Sequence, residues 1–353
     1  MTASRAYLDW NATTPLRPEA RAAMAAAMEM TGNPSSVHAE GRAARACVER
    51  ARERVAAAFG AEPGQVVFTS GATEAAAMAL SGRDLVAAPI EHDCVAAWTR
   101  PELAVGADGL VAVADPGGAA LQAANPETGV LQNLPPGIAV VDGAQAAGKI
   151  PFDFAGTGAG MALISAHKFG GPKGVGALFV RDGVEAARVL RGGGQETGRR
   201  AGTEAIVAIA GFAAAAEAAA RDLADGEWDR VRNIRDILES ALASAAEATI
   251  FVGKDSARRL PNVTCLATPG WKGEMQVMAM DLAGFAVSAG SACSSGRVKG
   301  SRTLGAMGLP PEAASGAIRV SIGPATTEAE VLAFAEAWDR ARRRHRDKAA
   351  TAA

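Results

Sequence analysis

Short apolar runs alternate along this chain with segments of helical pattern, and this alternation limits the possible fold more than any other feature. The runs lie at residues 66–69, 85–88, 138–141, 162–165 and 176–180. Helical segments separate several of them, and residues 17–31 and 38–59 also have a helical pattern. Strands that are separated by helices in this way predict a mostly parallel α/β sheet.

The pattern changes at about residue 246 to one that is typical of α+β structure. Short strands are predicted there at residues 250–252, 263–267 and 318–321. Because 353 residues are too many for one compact core, we predict two domains. The large domain takes residues 15–245, and the small domain takes residues 1–14 and 246–353.

A helix is predicted to close the chain. Thr327 and Glu330 form a capping box at its start. Val331, Phe334 and Trp338 then follow at positions i, i+3 and i+7, so they lie on one face of the helix. This apolar face predicts core packing.

Composition excludes several classes of protein. The 36 basic and 38 acidic residues leave a net charge of −2, which gives no reason to expect nucleic-acid binding. The longest apolar stretch, residues 205–216, is shorter than the about 20 residues of a membrane-spanning helix. The four cysteines have neither disulfide-framework nor zinc-ligand spacing, so we expect no metal and a cytoplasmic location.

The first candidate for chemistry is the sequence Thr-Ser-Gly-Ala-Thr-Glu at residues 69–74, between a predicted strand and a predicted helix. Small residues there let backbone N–H groups approach an anion, and the helix N-terminus adds a favourable dipole. The hydroxyls of Ser70 and Thr73 supply further donors. An ordinary Ser/Thr-rich helix cap has the same composition, so the motif by itself leaves both interpretations open.

Asp142 is the second candidate, because it directly follows the buried run at residues 138–141. The carboxyl end of a parallel strand faces the crevice where ligands bind. A buried carboxylate is costly unless a cationic group pairs with it, and a protonated pyridine nitrogen is such a group. A helix N-cap is the alternative interpretation.

Lys168 follows another apolar run and precedes Gly-Gly-Pro, a setting that packing explains poorly. A lysine amine whose pKa is lowered by burial or by nearby cations becomes a nucleophile and forms Schiff bases with aldehydes. Ser165 and His167 alternate around Ala166, so both side chains can face one ligand. Lys173 is the rival for the Schiff base, although the glycines around it suggest that it follows a turn.

Cys293 is the fourth candidate, in a loop of small residues at 288–296. We expect this loop to be exposed, since a buried core cysteine normally has large apolar neighbours. Arg297 and Lys299 favour the thiolate form of Cys293. The remaining cysteines are predicted to be buried structural thiols: Cys47, Cys94 and Cys265.

Short motifs along nearly the whole chain follow one another in the order that is found in one known protein family. They lie at residues 7–15, 32–38, 68–74, 91–92, 127–129, 142–145, 165–174, 192–196, 202–204, 293 and 318–321. In this order they resemble the motifs of the pyridoxal-phosphate-dependent cysteine desulfurases, a branch of the class V aminotransferases of fold type I. The resemblance implies the fold of that family, with a large, mainly parallel-sheet domain and a smaller α+β C-terminal domain.

The resemblance also implies the cofactor, pyridoxal 5′-phosphate, and its contacts. Lys168 would carry the cofactor as a Schiff base and shuttle the Cα proton. Asp142 would keep the ring nitrogen protonated, and His92 would stack on the ring. Further cofactor contacts are implied for Ala72, Thr73, Ser165 and His167 at the phosphate, Gln145 near the ring hydroxyl, and Thr203 from a second subunit.

For the reaction, the resemblance implies that Arg319 and Asn33 hold the carboxylate of L-cysteine, since arginine grips carboxylates with two hydrogen bonds. The thiolate of Cys293 would attack the substrate sulfur, leaving a persulfide on Cys293 and releasing L-alanine. The spacing from Cys293 to Gly308 matches the long-loop branch of the family. The implied partners are a second copy of the chain and a sulfur-acceptor protein, with an iron–sulfur scaffold foremost.

Three positions depart from the family pattern. Pro126 stands where the family usually has an Asn that contacts the ring oxygen of the cofactor, and proline has no side-chain donor. Three interpretations are open: Asn125 makes this contact instead, a water molecule makes it, or the ring is held less firmly. Pro324 stands where an Arg is common, and Trp10 replaces a usual polar residue.

Two alternatives to a cysteine desulfurase are considered. A related lyase or aminotransferase, such as a selenocysteine lyase, would share the scaffold, but a transaminase needs no thiol at Cys293. A weakly active scaffold or regulator that binds the cofactor is the other alternative, and Pro126 is the feature that favours it.

Overall fold

The computed structural model describes residues 5–245, 249–256, 258–290 and 300–352. Its largest sheet has five strands, which confirms the predicted α/β class. In spatial order, with strands numbered along the chain, they are β2 (Val66–Thr69), β6 (Gly176–Val180), β5 (Met161–Ser165), β4 (Val140–Asp142) and β3 (Ala120–Gln122).

The strand directions bring the chemistry-bearing motifs to one edge of this sheet. Strands β3, β4 and β5 are parallel, and β6 is antiparallel to both of its neighbours, β2 and β5. Strand β2 therefore runs in the same direction as β5. The carboxyl ends of four strands consequently meet at one edge, and the last residues of these strands are Thr69, Gln122, Asp142 and Ser165.

Both faces of the sheet are covered by apolar side chains. Along β5, Ala162 and Ile164 belong to one buried cluster, whereas Met161 and Leu163 belong to another. Every residue of this strand is buried. A strand that is covered on both faces has no solvent side, which explains why the sequence shows continuous apolar runs instead of alternation.

Helices provide that cover. They are α1 (Pro18–Met28), α2 (Ala39–Ala58), α3 (Ala72–Leu80), α4 (Asp93–Ala96), α5 (Phe154–Thr157) and α6 (Ile206–Ala224). Helix α7 (Glu227–Ala245) follows α6 in the chain. Helix α6 packs against both α1 and α2, and its small alanine side chains are buried among them. The apolar stretch at 205–216 is thus largely a buried helix. Among the described residues, no helix is long and apolar enough to cross a membrane.

The second sheet is antiparallel and lies toward the C-terminus. Its spatial order is β10 (Ser288–Ala289), β11 (Ala317–Ser321), β8 (Val263–Ala267) and β7 (Ile250–Val252). A short parallel pair joins β1 (Ala6–Tyr7) to β9 (Phe285–Ala286). The remaining helices are α8 (Gly273–Leu282), α9 (Arg302–Ala306), α10 (Pro311–Ser315) and α11 (Glu328–Ala352).

The core beside the second sheet recruits α7 as well as the C-terminal helix α11. Trp228, Val231 and Leu238 of α7 pack in one cluster with Phe334 and Trp338 of α11. The predicted domain boundary after residue 245 stays a prediction. The packing of α7 favours a boundary in the turn between α6 and α7.

The predicted secondary structure is wrong in one segment. Residues 85–88 do not form a strand, since Val86 makes only single parallel bridges to Arg100 and Ala119. Leu85 and Ala87 are nonetheless buried. These residues are therefore apolar because they are buried beside the sheet and not because they form a strand. Sequence periodicity does not distinguish the two cases.

We expect Phe334→Ala to lower the free energy of unfolding by about 3–5 kcal/mol. The Phe334 ring is fully buried, with its centroid 5.6 Å from that of Phe285. Leu332→Ala is the matched control on the same helix, at a partly exposed position, and should change stability by no more than about 0.5 kcal/mol. Denaturant titration measures both. Equal losses would contradict the placement of the core.

Candidate active site

A cavity of about 610 Å³ opens at the carboxyl edge of the central sheet. Its wall comes from segments that are far apart in the sequence and that meet because four strands end at this edge. The cavity brings together eight residues predicted to contact the cofactor: Ala72, Thr73, His92, Asp142, Gln145, Ser165, His167 and Lys168.

The first turn of α3 lines one part of the cavity. Its N-cap, Gly71, has φ 154° and ψ 179°, a backbone conformation that strongly favours glycine. Since glycine has no side chain, the N-cap residue itself satisfies none of the first-turn N–H groups, and these groups can bind an anion. A Cβ at Gly71 would lie 3.8 Å from Ser165 Oγ. Backbone and hydroxyl donors therefore converge here.

His167 lies beside these donors and is neutral at physiological pH. Its Nδ1 is 3.1 Å from Thr13 Oγ1. Burial, followed by the positive charges of Lys168 and Lys173, lowers the pKa of His167 to about 4. An arriving phosphate would meet an uncharged imidazole that is surrounded by cationic side chains.

Asp142 ends β4 and is buried at the cavity wall. Its Oδ1 accepts a hydrogen bond of 2.9 Å from the backbone N–H of Ala144. Burial raises the pKa of the Asp142 carboxyl, and the hydrogen bond from the Ala144 N–H and the charge of Lys168 act in the opposite direction. The carboxyl group therefore gains from a cationic hydrogen-bond donor placed in the cavity.

Lys168 follows β5, and its amine is held by backbone carbonyl groups. Its Nζ donates to the oxygens of Asn11 (2.8 Å) and Ala12 (3.0 Å). The N-terminal segment thus positions the candidate nucleophile. Lys173, its rival, also lines the cavity but is an exposed residue.

His92 serves as a helix cap and also lines the cavity. It is the N-cap of α4, where its Nδ1 accepts the backbone N–H of Cys94 at 3.2 Å and lies 3.0 Å from the Cys94 sulfur. Because Nδ1 is an acceptor, the neutral ring carries its proton on Nε2. Burial raises the pKa of the Cys94 thiol, so the thiol stays protonated beside the imidazole.

Asn125 does not line the cavity. Its Oδ1 accepts two backbone N–H groups of the following turn, each at 2.9 Å. Pro126 does line the cavity, and its carbonyl oxygen accepts hydrogen bonds from Asn11 Nδ2 (3.0 Å) and Arg319 Nη1 (3.2 Å). The placement of Asn125 gives no support to its predicted contact with the ring.

The two residues predicted to bind the substrate carboxylate also lie outside the cavity wall. Arg319, on β11, donates to Asp9 Oδ1 at 2.8 Å, and it is buried. Asn33 is exposed, and its Oδ1 accepts the backbone N–H of Ser35 at 2.9 Å. Their substrate contacts remain predictions.

The predicted roles of two further site residues, Thr203 and Cys293, cannot be compared with the geometry of this cavity. Thr203 is exposed and lies away from the cavity of its own chain. Cys293 lies outside the described residues. Of the cysteines predicted to be structural, Cys265 is buried, whereas Cys47 is only half-buried, because it lies near the edge of the buried face of α2. The prediction of burial for Cys47 is wrong.

Several residues at the site were not predicted. Gln122 and Cys94 line the cavity, and Lys149 is buried behind Gln145. Gln122 carries a signal in the sequence, since it ends a parallel strand as Asp142 does. Lys149 carries a weaker signal, a lysine four residues after Gln145 in an otherwise apolar segment.

Comparisons with known proteins agree with this geometry. The family model described as aminotransferase class V matches residues 6–108 and 119–334. A cysteine desulfurase from Cereibacter sphaeroides is 40% identical over 364 residues, which cover 93% of each chain. An IscS-like cysteine desulfurase from Mycobacterium tuberculosis is 34% identical over 99% of each chain. The solved NifS-like protein from Rickettsia africae gives a TM-score of 0.86 at 28% identity and covers 96% of this chain and 99% of that one.

Matches of this length define the class of protein first, a pyridoxal-phosphate-dependent enzyme with the class V aminotransferase fold. Within that class, the chain belongs to the cysteine desulfurase family.

The cavity fits the cofactor of this family. Pyridoxal phosphate presents a phosphate, an aldehyde and a basic ring nitrogen. The uncapped first turn of α3 and Ser165 supply donors for the phosphate, Lys168 supplies the amine for the aldehyde, and the buried carboxyl of Asp142 suits the protonated nitrogen.

We expect His167→Asn to reduce the acid sensitivity of the apo-protein. The pKa of His167 falls from 6.5 to about 4 on folding. The unfolded chain therefore binds more protons between these values, and stability is lost as the pH falls through this window. From about pH 7 to about pH 5, the wild type should lose ~1 kcal/mol more than the variant, a value reduced for partial exposure. Denaturation at both pH values measures this, and equal losses would contradict it.

Proposed function

We propose that the protein is a cysteine desulfurase that removes sulfur from L-cysteine, releases L-alanine and leaves a persulfide on Cys293. The observation that carries the proposal is a single cavity that holds Lys168, Asp142 and the first turn of α3. The cysteine desulfurases that match this chain over more than 90% of its length support the choice of substrate.

Bound pyridoxal phosphate supplies an electron sink for the negative charge that develops at the substrate Cα. The role of Asp142 is to hold the proton on the ring nitrogen, because its buried carboxylate is stabilised by that charge. The first turn of α3, together with Ser165 and His167, orients the ring by holding its phosphate.

Lys168 moves the proton in this proposal. Its Nζ would hold the aldehyde end of the cofactor, and the same amine would serve as the base that takes the Cα proton and returns it. The carbonyl groups of Asn11 and Ala12, at 2.8 and 3.0 Å, accept hydrogen bonds from Nζ. They offer the released amine a resting position within reach of the cavity.

Arg319 is proposed to bind the substrate carboxylate. Its Nη2 is paired with Asp9 and its Nη1 with the carbonyl of Pro126. Its Nε is buried and has no partner among the described residues. A buried donor without a partner costs free energy, so a carboxylate that approached this nitrogen would be stabilised.

The sulfur-transfer step falls to Cys293, outside the described residues. Its thiolate attacks the sulfur of the substrate, the substrate C–S bond breaks, and the electron pair stays with the carbon, which is then protonated to give alanine. Ser301 and Thr303 follow this segment in the chain. Glu127 accepts hydrogen bonds from Ser301 Oγ (2.5 Å) and Thr303 Oγ1 (3.1 Å). This carboxylate anchors the start of α9.

The departures from the family pattern are accommodated by their surroundings. The backbone carbonyl of Pro126 keeps contacts to Asn11 and Arg319 that need no side chain at this position. The Trp10 ring packs on Gly323, where a Cβ would come within 2.1 Å of it. The carbonyl of the neighbouring Pro324 accepts a hydrogen bond from Arg230. These contacts show that the fold accommodates all three departures.

Partners and location belong to the same proposal. A homodimer would let Thr203 of the partner subunit reach the phosphate, and the exposure of Thr203 in the single chain supports this. A sulfur-acceptor protein, with an iron–sulfur scaffold foremost, would take sulfur from Cys293 in the cytoplasm.

Purified protein loaded with pyridoxal phosphate should be yellow and should release sulfide and alanine from L-cysteine in the presence of a thiol reductant. Colourless protein would contradict the cofactor site. Yellow protein that forms no alanine from L-cysteine would contradict the proposed substrate.

We expect Cys293→Ala to keep the colour and to lower the rate of alanine formation from L-cysteine at least ~100-fold, because it removes the nucleophile. Cys47→Ala is the matched control and should keep the rate, since Cys47 lies on α2, away from the cavity. Steady-state alanine formation measures both variants. Full activity of Cys293→Ala on L-selenocysteine alone would favour a selenocysteine lyase.

A further inference from the structure

A second lysine is buried directly behind the cavity. Lys149 is 1% exposed, and its Nζ donates to Gln145 Oε1 (2.5 Å) and Asn11 Oδ1 (2.8 Å). Lys149 does not line the cavity, whereas Gln145 does. The lysine therefore acts on the cavity only through its neighbours.

Lys149 is held by amide oxygens instead of by a counter-ion. No carboxylate pairs with it among the described residues, and a buried ammonium without a counter-ion is strongly disfavoured. Burial, followed by the charges of Lys168 and Arg319, lowers the pKa of Lys149 well below its usual range. A neutral amine has two N–H groups, and the structure supplies two acceptors for them.

Fixed backbone acceptors determine which end of each neighbouring amide faces Lys149. The Pro126 carbonyl accepts from Asn11 Nδ2 at 3.0 Å, so Asn11 Oδ1 faces Lys149. The Asn11 carbonyl accepts from Gln145 Nε2 at 3.0 Å, so Gln145 Oε1 faces Lys149. Carbonyl oxygens cannot donate, so this orientation of both amides follows from the network itself.

We propose that Lys149 is a positioning residue for the cofactor site: its bond to Oε1 holds the Gln145 carboxamide so that the remaining N–H of Nε2 faces the cavity. With the amide in this orientation, the site favours a negatively charged ring oxygen next to Gln145. A flipped amide would place Oε1 against the Asn11 carbonyl and would lose that hydrogen bond. This inference rests on the proposed function, because it assumes that the ring oxygen lies beside Gln145.

The same network reaches the candidate nucleophile. The Asn11 carbonyl accepts from Gln145 Nε2 and also from Lys168 Nζ, at 3.0 and 2.8 Å. Asn11 is itself held through its side chain by Lys149 and by Asn262 Nδ2 (3.0 Å). Lys149 therefore helps to position Asn11, whose carbonyl accepts the Lys168 amine, as well as the Gln145 carboxamide, which faces the ring.

The test is a double-mutant cycle on the cofactor affinity of the apo-protein. Lys149→Met keeps most of the length of the side chain and removes its donors, and we expect it to weaken pyridoxal phosphate binding about tenfold. In a Gln145→Leu background, Lys149→Met should weaken binding no further, since the residue through which it acts is gone. Lys272→Met, at an exposed residue ahead of α8, is the matched control and should bind as the wild type does.

A spectroscopic readout separates positioning from general destabilisation. Without the Gln145 donor, the ring oxygen holds the proton on the neighbouring Lys168 nitrogen more tightly. The pH midpoint of the visible absorption band of the bound cofactor should therefore rise in Lys149→Met and should not change further in the double variant. If Lys149→Met does not fold, Lys149→Gln, whose shorter side chain keeps an amide NH₂ donor group, serves in the same cycle, with an effect of the same sign and smaller size.

The outcomes distinguish this inference from the proposed function. Wild-type protein that binds no pyridoxal phosphate would overturn the proposed function. Wild-type binding combined with unchanged affinity and an unchanged midpoint in Lys149→Met would overturn the inference alone. An equal loss of affinity from Lys149→Met in the presence and in the absence of Gln145 would show a structural role, and it too would overturn the inference.

Discussion

The buried hydrogen bonds of Asn11 connect the two sheets, and the cavity depends on them. Toward the second sheet, the Asn11 N–H donates to Ser321 Oγ and its Oδ1 accepts from Asn262 Nδ2, each at 3.0 Å. Toward the cavity, its carbonyl oxygen accepts from Lys168 and from Gln145. Buried polar groups are costly unless they are paired, so few other arrangements of this turn are tolerated. The N-terminal segment thereby places the Lys168 amine relative to both sheets.

Burial controls the charges of the site in one consistent way. It raises the pKa of Asp142 and lowers the pKa of His167 and of Lys149, because a low-dielectric environment disfavours every charged form. The cavity therefore gains when a ligand brings its own charges. A protonated ring nitrogen compensates Asp142, and a phosphate compensates the cationic surroundings of His167. This explains how a chain with a net charge of −2 binds an anionic cofactor through local groups.

The sequence predicted those parts that depend on local pattern. The apolar runs predicted four strands of the first sheet and three of the second, whereas β3 and β10 were not predicted. The rule that ligands bind at the carboxyl ends of parallel strands pointed to Asp142. Lys149 could not be predicted in this way, because its role depends on two amides brought to it by tertiary contacts. The contacts of Asn125 and Arg319 could not be predicted for the same reason. Asn125 accepts hydrogen bonds from the turn that follows it, and Arg319 pairs with Asp9, which is distant in the sequence.

The most direct measurement is the identity of the lysine that binds the cofactor. Holo-protein treated with sodium borohydride, digested and analysed by mass spectrometry should carry one phosphopyridoxyl group, on the peptide that contains Lys168. Lys173, which also lines the cavity, and the buried Lys149 should be unlabelled. A label on Lys173 or on Lys149 in place of Lys168 would contradict the account of how this cavity works.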